Sequence, residues 1–358
     1  MQDKLTVLVS NTEVPTTKIG SWTTRLTQLI QSYDVFDFIL SPTSVNQTSI
    51  FCKKRKFLSW RKAVRRLNLK YWVAKDYISA ISRLSKKASD ITVVVMDDVH
   101  LLEAIALSKL KFRSHICLVF SFHGFRLELN HGTLKLVDKI LFLSEKAYEV
   151  SNINDLSKKV IVGNGVKNAD FYPLSNKDYR IARQDRGYTP EDEILIWAAN
   201  DRPKKGFHIF EKVTEQLLKI YPHLKIIIIG TKNTIPNKNI LNVGRVHHRE
   251  ISKYMQISNY YMFTTLYEEG FGLSMIEALK CGNTVIASNK GAISEVLGGK
   301  PQSYLIDNPE NIDEWITTFD LARKDTDCGK NRLTKCETDV IWSYNDWEHN
   351  FINAILER

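Results

Sequence analysis

The sequence predicts an α/β protein built from two doubly wound domains, and three observations carry that prediction. Short apolar, β-branched runs alternate with helical stretches along most of the chain. The runs fall into two sets of six with a polar stretch between them. The length of 358 residues exceeds what one ordinary core fills.

In the first half the runs are LTVLVS (5–10), FDFIL (36–40), ITVVVM (91–96), ICLVFSF (116–122), KILFLS (139–144) and VIVGNG (160–165). In the second they are ILIWAA (194–199), KIIIIG (225–230), ILNVG (240–244), YYMFTT (260–265), TVIAS (284–288) and SYLID (303–307). Strands that are apolar throughout, rather than at alternate positions, imply parallel sheets covered on both faces. The boundary is expected within 171–193, a polar stretch with two prolines. This gives domains 1–172 and 173–340, with a terminal helix at 341–358 crossing back to the first. In that helix Ser343 or Asn345 is the expected cap, and Trp347, Phe351, Ile352 and Ile355 share a face. Residues 324–337 are polar and read as a surface loop.

Composition narrows the class. Apolar content of 43% and charged content of 25% suit a globular chain rather than a disordered one. No apolar run approaches the ~18 residues of a membrane-spanning helix. The N-terminus lacks the apolar core of a signal peptide, so a cytoplasmic location is expected. Five cysteines, odd in number and without CxxC spacing, suggest neither disulfides nor zinc. No metal site is expected: Asp325 and Asp327 form the one D-x-D, in a lysine-rich loop, and the histidines are scattered, with no third partner near His247 and His248. The net charge of +10 points to a polyanionic partner.

The most informative stretch is YEEGFGLSMIEALKCG (267–282). In open parallel sheets, ligands bind beyond the carboxyl ends of strands, where helices begin. YYMFTT is such a strand. Gly270 and Gly272 permit a tight turn and close approach of a ligand to the backbone. Free N–H groups at Gly272, Leu273 and Ser274 favour an anion such as phosphate. Glu269 precedes the helix and Glu277 lies about one turn inside it, each able to accept from paired hydroxyls. The alternative is acid placed at a helix start for dipole reasons alone.

The residues around the pair resemble a known family. E-G-F-G-L-S-M-I-E-A-L-K-C-G-N-T-V-I-A-S, followed by G-A-I-S-E-V, is similar to E-G-F-G-x-x-x-x-E-A-x-x-x-G-x-P-V-I-A-S then G-G-x-x-E of the retaining GT4 glycosyltransferases. GNGVKNADFYP (163–173), NDRPKKG (200–206), FHG (122–124), LVDKILFLSEKAYE (136–149) and VGRV (243–246) resemble further family segments, in the required order. The resemblance covers roughly residues 90–300 and implies the GT-B fold, two Rossmann-like domains facing a cleft. It implies that Glu277 binds the donor ribose and Glu269 faces the donor sugar. Amides at Gly272, Leu273 and Ser274 would meet diphosphate or sugar, Arg202 and Lys205 the diphosphate, and His123 the sugar. The base would be read near Val246, and Gly20 would approach the donor phosphate. Departures exist. The G-R-x4-K-G version of the basic loop would put arginine at Asn200, whereas the N-x-R-P-x-K version matches Arg202. Thr284 and Ala292 replace the usual proline and glycine, and Gly20 stands alone where the family has a glycine pair.

The reaction implied is transfer of a sugar, with retention, from a nucleoside diphosphate sugar to a hydroxyl of a glycan or lipid-linked acceptor in bacterial lipopolysaccharide, capsule or other surface-polysaccharide synthesis. UDP-sugar is the first donor expected, with GDP and ADP left open, and no cofactor or metal is required. A nucleotide-sugar epimerase or phosphorylase on the same fold, or a non-catalytic basic membrane-binding protein, remain the alternatives. FCKKRKFLSWRKAVRRLNLKYW (51–72) holds nine Lys or Arg with interleaved aromatic and aliphatic residues. It reads either as an interfacial helix on anionic lipid at the inner face of the membrane or as a solvated helix face. No RRM, helix-turn-helix or zinc pattern accompanies the charge, so nucleic acid is not an expected partner.

Overall fold

The structure is a computed structural model that describes residues 2–16, 21–44, 47–54, 70–153 and 155–357. Gly20 and residues 55–69 of the basic stretch lie outside the described residues.

The first sheet has seven parallel strands in the order β3-β2-β1-β4-β5-β6-β7. They are β1 (Gln2–Val9), β2 (Phe38–Ser41), β3 (Ser49–Phe51), β4 (Ala88–Met96), β5 (His115–Ser121), β6 (Lys139–Phe142) and β7 (Lys159–Ile161). Val7 of β1 pairs with Phe38 on one side and Val93 on the other. The second sheet has six, in the order β10-β9-β8-β11-β12-β13. They are β8 (Ile194–Ala198), β9 (Lys225–Ile229), β10 (Ile240–Gly244), β11 (Tyr260–Phe263), β12 (Thr284–Ser288) and β13 (Ser303–Ile306). Every predicted run overlaps one of these strands. Only β3 was missed: three residues, SIF, at the sheet edge are too few to show a pattern.

Both sheets are doubly wound, as the apolar runs imply. The central strands are buried on both faces: Val7, Val93 and Leu118 in the first sheet, Ile196, Ile227 and Val285 in the second. In the second unit Trp197, Phe210, Tyr260, Trp315 and Phe319 share one core. Burying an indole the size of Trp197 or Trp315 is worth about 4–6 kcal/mol as an upper bound. An exposed pair such as Lys219–Glu215 adds at most ~1 kcal/mol. Both of these indoles also satisfy their N–H, Trp197 on Thr264 Oγ1 and Trp315 on the Pro309 carbonyl.

The chain divides into two compact units, Met1–Gly163 with Glu348–Arg358, and Asn164–Trp347. The division falls ahead of the 171–193 stretch. Residues 164–171 belong with the second unit because Val166 bridges Ser343, Asn168 binds Lys280 and Phe171 packs on His248. The terminal helix is Tyr344–Leu356, with Ser343 Oγ accepting from Asn345 N–H. Its residues from Glu348 onward group with the first unit. Residues 324–337 are not simply a loop. The helix Ile312–Asp325 runs into them, and a second helix, Lys335–Asp339, opens with a capping box between Thr334 and Glu337. The signal T-x-x-E was present in the sequence, masked by the polarity around it.

Candidate functional site

In each sheet the strand order reverses once, between β1 and β4 and between β8 and β11. Ligands of open parallel sheets bind outside the carboxyl ends of the strands at that reversal. The loops leaving β8 and β11 are NDRPKKG and TLYEEGFG, which hold Arg202, Lys205, Glu269 and Gly272. The fold therefore brings these two loops together, although 64 residues separate Lys205 from Glu269.

The two loops are stitched by the backbone. Leu266 N–H donates to the Lys204 carbonyl at 2.7 Å, and Thr264 Oγ1 donates to the Gly206 carbonyl at 3.0 Å. Gly206, at φ 72°, ends the 3-10 turn Pro203–Lys205 and begins the helix Phe207–Ile220. Lys205 Nζ lies 2.5 Å from Glu269 Oε1, which also accepts from Thr265 Oγ1 at 3.1 Å. Arg202 is exposed, and its guanidinium has no ion pair among the described residues. The neighbouring Asp201 braces this loop. It accepts from Thr231 Oγ1 at 2.7 Å, from Lys232 N–H at 2.6 Å and from Arg245. The hydroxyl and the amide, with Arg245, hold its carboxyl down at about 2.

Glu269 is fixed through its backbone by the segment after β12. Its N–H and carbonyl face Gly291, and Ala292 N–H donates to that carbonyl at 2.9 Å. The helix Leu273–Lys280 follows, with Gly272 at φ 84° before it. Ser274 Oγ meets the buried Tyr261 hydroxyl at 2.9 Å, and Tyr261 also donates to the Ala198 carbonyl. Burial raises the Tyr261 phenol well above its ordinary range, so it stays neutral. Glu277 is buried and receives His248 Nε2 at 3.0 Å on Oε1. Val246 is half-buried in the turn between β10 and the helix His248–Ile257.

In the first unit, His123 follows β5. Its Nε2 lies 3.0 Å from Ser121 Oγ, its ring stands edge-on to Trp22, and its buried Nδ1 has no partner among the described residues. Burial and the charge of Arg25 keep the imidazole neutral, well below its usual pKa. Asp97, at the end of β4, was not singled out in the sequence. It occupies the left-handed region at φ 44° and accepts from His123 N–H at 2.9 Å. Burial, with the adjacent charge of Asp98, raises its carboxyl to about 6. Sequence reasoning missed Asp97, Asp201 and His248 for one reason: their partners lie 26, 30 and 29 residues away. Among the described residues no group of three or more His, Cys, Asp or Glu converges as a metal cluster, and no helix is long and apolar enough to cross a membrane.

Two doubly wound units of this strand order are the GT-B architecture. Sucrose-phosphate synthase of Thermosynechococcus elongatus superposes with a TM-score of 0.72 over 97% of both chains at 14% identity. The HepE protein of Anabaena, in complex with UDP and glucose, superposes with a TM-score of 0.71 over 99% of this chain and all of that one, also at 14% identity. Residues 178–335 match the family "Glycosyl transferases group 1". Among its relatives, a phosphatidyl-myo-inositol mannosyltransferase of Propionibacterium freudenreichii is 27% identical over 45% of this chain and 41% of that protein. A lipopolysaccharide 1,2-N-acetylglucosaminetransferase of Salmonella typhimurium is 22% identical over 53% of each. The chain thus spans about half the length of the curated relatives it matches.

Proposed function

We propose that the protein is a retaining glycosyltransferase that moves a sugar from a nucleoside diphosphate sugar, UDP first, to a hydroxyl of a glycan or lipid-linked acceptor in bacterial surface-polysaccharide synthesis. The observation that carries this is the arrangement at the β8–β11 reversal: Lys205, from the loop that also holds Arg202, pairs with Glu269 just ahead of the helix Leu273–Lys280, which carries Glu277. Diphosphate suits the cations and the amides of Leu273 and Ser274, and Glu277 suits ribose hydroxyls. The relatives named above, which act on phosphatidylinositol and lipopolysaccharide by their names, support the acceptor class.

In the reaction, the bond between the anomeric carbon and the diphosphate oxygen breaks, and the acceptor oxygen bonds on the same face. The acceptor proton passes to the departing phosphate oxygen, so neither glutamate serves as general base. Lys205, Arg202 and the helix-start amides stabilise the charge that develops on the leaving diphosphate. The chemistry is metal-independent in this reading.

A thermal-shift screen against UDP, GDP, ADP and their sugar conjugates tests the site. One diphosphate is expected to raise Tm by mass action, stabilising the native state by about 2.7 kcal/mol at a hundred times its Kd, and Glu277→Ala is expected to abolish the shift. Absence of any shift at millimolar nucleotide would refute the donor site.

The basic stretch 51–72 is proposed to hold the enzyme on anionic lipid. Of its described residues, Phe51, Tyr71 and Trp72 are exposed, and Lys111 lies over the Tyr71 ring. Apolar tips with flanking cations suit an interfacial surface. Co-sedimentation with vesicles is expected to rise with phosphatidylglycerol content and to fall when Arg61, Arg65 and Arg66 are reversed to Glu. Binding insensitive to both would refute the reading.

A further inference from the structure

The segment Asn164–Phe171, taken from the sequence as the end of the first domain, instead braces the donor helix from two directions. Lys280, fully buried at the end of the helix Leu273–Lys280, donates to Asn168 Oδ1 at 2.6 Å and to the Thr338 carbonyl at 2.9 Å. Phe171, itself buried, meets the His248 ring edge-on with centroids 5.2 Å apart. His248 in turn places Nε2 3.0 Å from Glu277 Oε1. The helix bearing His248 is tied down at its other end, where Gln256 Nε2 donates to the Tyr172 carbonyl and Asn283 Nδ2 to the Met255 carbonyl. His248 thus stands on a rigid support and meets one oxygen of the carboxylate, leaving Oε2 without a recorded hydrogen bond among the described residues.

We propose that His248 is a positioning residue for Glu277, pinning Oε1 through Nε2–H so that Oε2 is presented to the hydroxyls of a bound nucleotide. This rests on the donor-site reading of Glu277. A glutamate on a helix has three side-chain rotations to lose when it binds a ligand. Fixing them beforehand removes that cost from binding. The hydrogen bond forms with either a neutral or a protonated imidazole, but the charged form holds the carboxylate more strongly.

Protonation state therefore enters the affinity. The groups facing the imidazole are Glu277 from the donor helix and Asp170 from the bracing segment. Burial alone would lower the His248 pKa, but the hydrogen bond and charge of Glu277, with the charge of Asp170, raise it above its ordinary value. Tyr261 and Cys281, which sense the charge of Glu277, are both raised by burial and remain neutral across the working range. A raised imidazole pKa means that the charged contact is strongest at the acid end of the range and fades as pH rises through that pKa.

The test is calorimetric titration of wild type, His248→Gln and His248→Ala with UDP, GDP and ADP at pH 6.0, 7.0 and 8.5. For the diphosphate that wild type binds, His248→Ala is expected to weaken binding about tenfold at pH 6.0, and His248→Gln, which keeps a neutral donor, to recover most of it. The ratio of wild-type to His248→Gln affinity is expected to fall from about threefold at pH 6.0 to about one at pH 8.5. Titration of the nucleotide's own phosphate affects both proteins equally and cancels in that ratio. A ratio that stays constant with pH, or His248→Ala binding like wild type, overturns the inference. Equal losses in both variants with a lowered Tm also overturn it, because they mark a merely structural histidine. If wild type binds none of the three diphosphates, the donor-site reading itself fails, which is a separate outcome.

Discussion

Lys205→Ala is expected to lower kcat by about 10²–10³-fold, equivalent to ~3–4 kcal/mol of transition-state stabilisation. The lysine is the only cation recorded as an ion partner of Glu269 among the described residues. Its Nζ also lies 5.7 Å from the Phe263 ring centroid, on the second sheet's strand end. It is thus held at the edge where a leaving diphosphate would gain negative charge. Removing it takes away a pre-placed charge that water replaces poorly. Fold damage is expected to be small, because Glu269 keeps Thr265 Oγ1 and its backbone contacts to Gly291 and Ala292. Lys205→Arg keeps the charge in a different shape and is expected to fall between the two. Steady-state kinetics with the sugar conjugate of the diphosphate found in the thermal screen give the answer. A kcat within fivefold of wild type for Lys205→Ala would remove the residue from the reaction.

Gly206→Ala is expected to lower the Tm of the second unit by on the order of 10 °C and to abolish nucleotide binding with it. Two costs add. A Cβ at φ 72° is strained by about 1–2 kcal/mol. That Cβ would also stand 1.8 Å from the Thr264 carbonyl oxygen, a contact no side-chain rotation relieves, adding about 1–3 kcal/mol of overpacking. The carbonyl belongs to the exit of β11, so relief of the clash must part the basic loop from the loop bearing Glu269. Gly187→Ala is the control, since Gly187 has a similar φ of 75° and nothing within 4 Å of the added atom. It is expected to show the strain alone, a loss of a few degrees with nucleotide binding kept. Equal effects of the two substitutions, by calorimetry, would show that the close approach at Gly206 has no role.

The sheets were legible because burial on both faces writes itself into every residue of a parallel strand. KIIIIG and ITVVVM need no partner to be recognised. The helix at Leu273 was legible because Gly272 and the apolar run after it are local signals, and the helix does begin there. Strand β3 was not, because the three residues SIF at the sheet edge carry too little pattern of their own. The unit boundary also lay elsewhere than polarity suggested. Asn168 and Phe171 are polar-loop residues by composition, yet their partners are Lys280 and His248.

By itself, then, the sequence determined which segments become strands and helices, and which loops follow them. Those properties arise from periodicity, apolar runs and glycine, all short-range along the chain. Only the tertiary structure decided which side chains meet. The strand order β10-β9-β8-β11-β12-β13 sets β8 beside β11 and so delivers Lys205 to Glu269. The same order lets His248, which the sequence left without a role, reach Glu277. Crossover connections in a parallel sheet place residues tens of positions apart within hydrogen-bonding distance. No local pattern encodes that distance, because it is set by how the helices pack on the sheet.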